Sequence, residues 1–215
     1  MCFHIIQFKL SKQIERRFKA KFRAQNGYQP SLHLNSFDFP KVPIITAEKP
    51  EIIENFNWGL VPEWSKNKDI RSMTLNAKIE TLKEKPAFKN VLNQRCLILA
   101  NGFYEWQWLD AKGKNKIKFE IGIGNDDLFA FAGLYSHWMD PETSEIVPTF
   151  TIVTTKANSL MAEIHNIKKR MPVILRPGDE QDWLHQAPVE NFAFPYEMAL
   201  TAKNTEPFQE QLRLF

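Results

Sequence analysis

The sequence predicts an α+β domain with a mostly antiparallel, curled or barrel-like β-sheet core and peripheral helices. Three observations carry that expectation. Seven apolar or alternating runs occupy residues 42–175, helical periodicity is confined to four short segments, and no internal repeat or Gly/Ser linker divides the chain. With 215 residues, 43% of them hydrophobic and 25% charged, one ordinary core can be buried, so residues 1–215 are read as a single domain. Disorder and a small disulfide-stapled scaffold are both excluded.

Each element has a local reason. In Ser11–Phe22 the residues Ile14, Phe18 and Phe22 recur every fourth position with Ser11 placed to cap, which predicts an amphipathic helix. Strands are expected over Val42–Ala47, Arg95–Ala100, Phe103–Trp108, Lys116–Ile123, Leu128–Tyr135, Thr149–Thr155 and Met171–Leu175. Lys116–Ile123 alternates cleanly, with Ile117, Phe119, Ile121 and Ile123 on one face, and the Asp110–Asn115 turn residues join it to the preceding strand as a hairpin. Further helices are expected over Ala77–Lys85, Asn158–Glu163 and Asp179–His185.

Charge and cysteine usage narrow the function. The net charge is only +3, but Lys9–Arg23 carries seven cations against Glu15 and contributes +6, leaving the other 200 residues at −3. That stretch is either a solvated face over a core stripe or a basic face for a polyanion. Apolar runs such as Cys96–Ala100 are far shorter than the roughly 18 residues of a membrane span. Lys9 and Lys12 follow too short a run for a secretory signal, so a cytoplasmic location is expected. Cys2 and Cys96 make no disulfide framework.

Five features could carry chemistry. Removal of Met1 would leave Cys2 with an α-amine and a thiol together, a 1,2-aminothiol. At pH 7 such an amine is roughly 17% unprotonated, against ~0.04% for a lysine. It can form a Schiff base with an aldehyde, and the thiol can then close a thiazolidine ring; the thiolate could alternatively attack an ester or amide. The plain alternative is an ordinary Cys after the start. Glu105 lies in an aromatic run, on the same strand side as Phe103 and Gln107, where it is either an acid/base or a paired structural carboxylate. His165 stands at a helix end before Lys168, Lys169 and Arg170, either relaying protons or answering the helix dipole. Asn76 reads alone as the N-cap of the following helix. Trp58 and Trp64 flank a Gly/Pro loop, one suited to the core and the other to base stacking, although both could be core. No CxxC or HxxxH spacing or Gly-rich phosphate loop occurs, so neither metal nor cofactor is expected.

Together these segments resemble the SRAP family, the SOS response-associated peptidase domain that crosslinks to abasic sites in single-stranded DNA. The matching pieces are Met1-Cys2, Trp58–Trp64, Asn76-Ala-Lys-Ile-Glu-Thr81, Arg95–Trp106 ending Phe-Tyr-Glu-Trp, and Ile164-His165 with Arg170–Leu175. The resemblance implies that Cys2 is the nucleophile, Asn76 positions it or the sugar, Glu105 is the acid/base and His165 assists ring opening. It implies DNA contacts from Trp106, Arg170 and Lys78, while Trp64 is the exposed indole expected to stack on a base. The partner expected is single-stranded DNA with abasic sites, met by a monomer that is nucleoid-associated when bound, in the DNA damage response. Phe3-His4 stands where the family usually has Gly-Arg, Lys78 replaces an Arg, and His165 and Arg170 are more widely spaced. Two competing functions are a Cys2-dependent thiol peptidase, including removal of its own Met1, and a non-catalytic single-strand binding module. Strand cleavage as a lyase is a further possible activity.

Overall fold

The computed structural model describes residues 2–23, 27–125 and 127–205. In chain order the elements are β1 (His4–Gln7), α1 (Ser11–Phe18), β2 (Lys21–Phe22), β3 (Ser31–Asn35), β4 (Lys41–Thr46), β5 (Lys49–Trp58), β6 (Asn76–Lys78) and β7 (Arg95–Ala100). They continue with β8 (Gly102–Trp108), β9 (Lys116–Gly122), β10 (Phe129–Met139), β11 (Ile146–Lys156), α2 (Ser159–Ile164), β12 (Arg170–Pro172), β13 (Ile174–Leu175), α3 (Glu180–Leu184) and β14 (Thr201–Asn204).

Strands β11, β10, β7, β4 and β5 run side by side, and β5 returns to β11 through the parallel pairs Asn57 with Thr149 and Trp58 with Phe150. That pairing closes a five-stranded barrel, which removes the exposed edges an open sheet would leave. A second, antiparallel sheet has the order β14, β9, β8, β1, β3. The expected α+β class with a barrel-like core is what the chain adopts.

The chain changes sheets between β7 and β8, and Asn101 ties the crossing. Its N–H donates to Ile6 O at 3.0 Å and its Oδ1 accepts from Phe8 N at 3.0 Å. Successive residues of β7 then serve two apolar clusters. Leu97 and Leu99 pack with Ile14 of α1 and Trp183 of α3, whereas Cys96, Ile98 and Ala100 pack with Cys2, Ile5, Phe103 and Ile121 of the second sheet. A strand buried on both faces loses alternation and becomes the continuous apolar run seen at Cys96–Ala100.

Two charged groups join the helices to this core. Arg95 is buried and donates to Trp183 O at 3.2 Å and Ala187 O at 2.6 Å, its guanidinium 4.5 Å from the Trp183 ring. A cation thus meets the carbonyl end of α3. Arg17 of α1 grips Glu180 through two bonds of 3.2 and 2.6 Å.

Several expectations need correction. Helix α1 ends at Phe18, because Lys19 takes a left-handed φ of 53° and Lys21–Phe22 turns into a strand parallel to β5. Leu10, not Ser11, is the N-cap, and its N–H donates to Gln13 Oε1 at 2.9 Å. No α-helix forms over Ala77–Lys85: residues 76–78 pair with β11 as a parallel strand, followed by a single 3-10 turn at Ile79–Thr81. Buried Ala77 and Ile79 gain more from that pairing than from local helix propensity. Strands β1, β3 and β5 were not anticipated, since β5 carries Pro50, Glu51 and Glu54 in a partly exposed run. The hairpin of β8 and β9 forms as expected, with the Asp110 carboxylate accepting from the N–H groups of Lys112, Lys114 and Asn115.

Gly133 marks the tightest point of the barrel wall. A Cβ there would lie 2.2 Å from Ile98 Cδ1 and 2.9 Å from Cys96 Sγ. Gly133→Ala is therefore expected to cost about 1–3 kcal/mol through overpacking, read as a lower urea midpoint. Adding Ile98→Val, which removes the clashing Cδ1, should recover part of the loss.

Candidate active site

The first residues of the chain are held where a terminus would ordinarily fray. Strand β1 lies between β3 and β8, and Cys2 just ahead of it is fully buried in the cluster shared with Ile5, Phe103 and Trp58. Asn76 Nδ2 donates to Cys2 O at 2.8 Å, so the amide is oriented by a carbonyl that can only accept. Its Oδ1 is buried without a hydrogen-bond partner and remains an acceptor for another group. Asn76 is thus no helix cap. It sits on β6 opposite Ile152 of β11, and that parallel pairing aims its side chain at Cys2.

Glu105 comes from β8, 8% exposed, on the same side as buried Phe103, as the alternation implied. One carboxylate oxygen, Oε1, accepts from Trp106 N at 3.1 Å. Burial first, and the Glu105 charge second, push the Cys2 thiol up to about 12, while the N-terminal amine and then a bond from the His4 main chain oppose the rise. At neutral pH Cys2 is a neutral thiol beside a carboxylate.

His165 is the C-cap of α2, whose N-cap Asn158 accepts from Met161 N at 2.9 Å. The ring's Nδ1 lies 2.9 Å from Arg170 O and 3.2 Å from Arg170 N. Nδ1 donates to Arg170 O in one tautomer and accepts from Arg170 N in the other. Burial lowers the pKa of His165 against the opposing pull of Glu105, so the ring is neutral at pH 7. Phe3, Glu105, Trp106, Trp108, Lys116, His165, Ile167 and Lys168 surround a cleft of about 330 Å³.

Cys2 is thus bonded to Asn76 and feels the charge of Glu105, and Glu105 and His165 wall one cleft, so residues from four distant parts of the sequence are linked. The other expected contacts divide. Half-buried Trp106 walls the cleft, and Lys78 is exposed at the end of β6, two residues from Asn76. Arg170 is instead held by Glu80 in a bidentate pair of 2.7 and 2.8 Å and donates to Thr154 O at 2.8 Å. Trp58 is core and its indole donates to Leu75 O at 2.8 Å, whereas Trp64 is 54% exposed. Trp64 lies against Pro86 and Ala87 and does not wall the cleft. Among the described residues no group of three or more His, Cys, Asp or Glu side chains could hold a metal ion.

Three cleft features were not read from the sequence. Lys116 stands 4.8 Å over the Trp108 ring, a pair that the β8–β9 register places opposite each other. Phe3 contributes an apolar wall. His4 adds no positive charge: its Nδ1 lies 2.8 Å from His33 Nε2, and burial, then His33 and Lys118, lower it to about 4.

With Met1 in place, Cys2 should be nearly inert to alkylation in the folded protein. A thiol at about 12 is only ~10⁻⁴ thiolate at pH 8. Iodoacetamide mass spectrometry is expected to modify neither Cys2 nor the equally buried Cys96 until denaturant is added. Rapid native labelling of Cys2 would contradict this placement.

Comparison with known proteins places the chain in a family. The family model described as SOS response associated peptidase (SRAP) matches residues 1–207. The chain is 41% identical over 166 residues to the abasic site processing protein YoqW of Bacillus subtilis, covering 77% of this chain and 71% of that protein. It is 29% identical to the abasic site processing protein HMCES of Gallus gallus, covering 83% of this chain and 64% of that one. A crystal structure of a Bacteroides thetaiotaomicron protein superposes with a TM-score of 0.85 at 33% identity, covering 94% of this chain and 91% of the other. The chain belongs to the SOS response associated peptidase family.

Proposed function

We propose that this protein binds single-stranded DNA at an abasic site and traps the lesion covalently through Cys2 once Met1 has been removed. The observation that supports the reading is the hydrogen bond that fixes the Cys2 carbonyl on Asn76, with Cys2 and His165 both in the field of Glu105 and a cleft walled by Glu105 and His165. The names of the relatives, abasic site processing proteins, give the substrate class.

The chemistry follows from the protonation states. An abasic deoxyribose is mostly a closed hemiacetal. Breaking its C1′–O4′ bond gives the aldehyde, with a proton delivered to O4′ and another taken from the C1′ hydroxyl by Glu105 and His165. The Cys2 amine adds to C1′, and loss of water leaves an iminium. The Cys2 sulfur then bonds to C1′ and gives its proton to the Glu105 carboxylate. One aldehyde and one aminothiol thus become one thiazolidine and one water. A neutral thiol suffices for an iminium, a far better electrophile than an amide, so the buried thiol favours this course over peptide hydrolysis. Asn76 Oδ1 is the acceptor for the new amine or a sugar hydroxyl.

Trp106 stacks on a base beside the lesion, Lys78 meets a phosphate, and Trp64 offers a second platform along the strand. Arg170 anchors β12 behind His165 and meets a phosphate only where its pair with Glu80 opens.

Incubation of processed protein with an abasic oligonucleotide should give a denaturant-resistant shifted band. Cys2→Ala is expected to abolish it, and Glu105→Gln to slow it about 10²–10⁴-fold, the range for loss of a positioned acid/base. A fully processed protein that forms no band would sink the reading.

The rate should rise between about pH 6 and pH 8, as an α-amine near 7.7 loses its proton, and then level off. Burial lowers the His165 pKa, so its titration falls on the acid side of the amine's. A tenfold gain per pH unit continuing toward pH 10 would mean thiolate attack instead.

A further inference from the structure

The most basic segment of the chain takes no part in the chemistry above. Helix α1 buries Ile14 and packs Phe18 on the core, so its apolar face is fully used. Lys12 and Arg16, one turn apart, are exposed on the other side, and exposed Lys19 follows at the C-cap. The acids nearby are committed elsewhere: Glu15 accepts from Lys21 and Phe22 N, Glu54 pairs with Arg23, and Glu180 pairs with Arg17. Among the described residues no acid forms a salt bridge with Lys12, Arg16 or Lys19. Beside the helix a concavity of about 420 Å³ is lined by Lys9, Gln13, Arg17, Leu128 and the acid Asp127, none of which walls the reactive cleft.

We propose that this Lys12–Arg16–Lys19 stripe is a second phosphate-binding surface, which holds the DNA strand at a distance from the reactive cleft. The proposal rests on the abasic-site reading for the identity of the strand. Exposed cations at helical spacing that form no salt bridge, Lys12 among them although it acts on Glu15, match a row of phosphates, and charge asymmetry of this size, +6 here against −3 elsewhere, concentrates the polyanion at one place. A membrane surface is the poorer partner, since the helix has no apolar face left to insert.

Position gives the stripe its specific role. Strand β1 leads from Cys2 to α1, so ten residues separate the reactive residue from Lys12. Fully extended they span at most about 35 Å, or about ten stacked nucleotides at ~3.4 Å each. The stripe therefore lies within reach of DNA that flanks a lesion, and its assigned role is to hold that flank while the cleft captures the lesion. It would add affinity for long strands without changing chemistry on short ones.

The test measures binding by fluorescence anisotropy against salt, with undamaged single strands of about five and about thirty nucleotides, for native protein and K12Q/R16Q/K19Q. Each phosphate neutralised contributes about 0.7 to the slope of log affinity against log salt on a single strand, so losing three cations should reduce the long-strand slope by about 2. The short strand should bind alike in both proteins, and crosslink yield on a short abasic oligonucleotide should not change. A K12R/K19R variant should retain the native slope. Equal long-strand slopes, or an equal loss of short-strand affinity, would overturn the stripe while normal crosslinking left the abasic-site reading standing. Failure of native protein to bind either length would overturn both. Thermal melting by circular dichroism establishes that the variant is folded before its slope is read.

Discussion

The burial of Cys2 where the two sheets meet is the constraint on which much of this fold depends. The bond from Asn76 Nδ2 to the Cys2 carbonyl is the last link in a chain of dependence. It exists because β6 pairs in parallel with β11, and β11 is in turn fixed by the pairing with β5 that closes the barrel. On the other side, β1 is held between β3 and β8, and Asn101 fastens its end at the crossing between sheets. Two independent layers therefore clamp the same few residues.

The clamp imposes an electrostatic price on the thiol. Burial and Glu105 both disfavour its anion. A site built for thiolate attack would instead place a cation next to the sulfur. Here the Glu105 carboxylate raises the thiol more than the N-terminal amine lowers it, and in the proposed reaction that carboxylate takes the proton as the sulfur bonds. The same burial keeps His165 neutral, with Nδ1 oriented by the Arg170 carbonyl. Protonation and geometry are set by the same packing.

Much of the site was legible in the sequence, but for unequal physical reasons. The β8–β9 hairpin was readable because alternation and the Asp110 turn are local signals, and they put Glu105 on the inner side with Phe103. The helix over Asn158–Glu163 was readable from its cap, and α2 carries His165 at its end. Asn76 was misread by local rules, because a residue that looks like an N-cap was recruited by a strand some 75 positions away in sequence. Strand β5 was missed although it closes the barrel: its partners β4 and β11 are tertiary facts, and Pro50, Glu51 and Glu54 obscure its apolar side. The pairing of Arg170 with Glu80 was equally invisible, since nothing local joins positions 90 residues apart.

That last pair shows how the segment between His165 and Arg170 is held. The segment turns through Lys169, which adopts a left-handed φ of 47°, and Lys169 N donates to His165 O at 2.9 Å. The chain thereby doubles back and brings the Arg170 carbonyl to the imidazole. Glu80 and Thr154 hold the Arg170 side chain behind it, fixing β12 against β11. What the site requires is one main-chain acceptor at the right place beside His165. A tight turn and a bidentate ion pair meet that requirement whatever the length of the intervening loop, which is why spacing along the chain was a poor guide to contact in space.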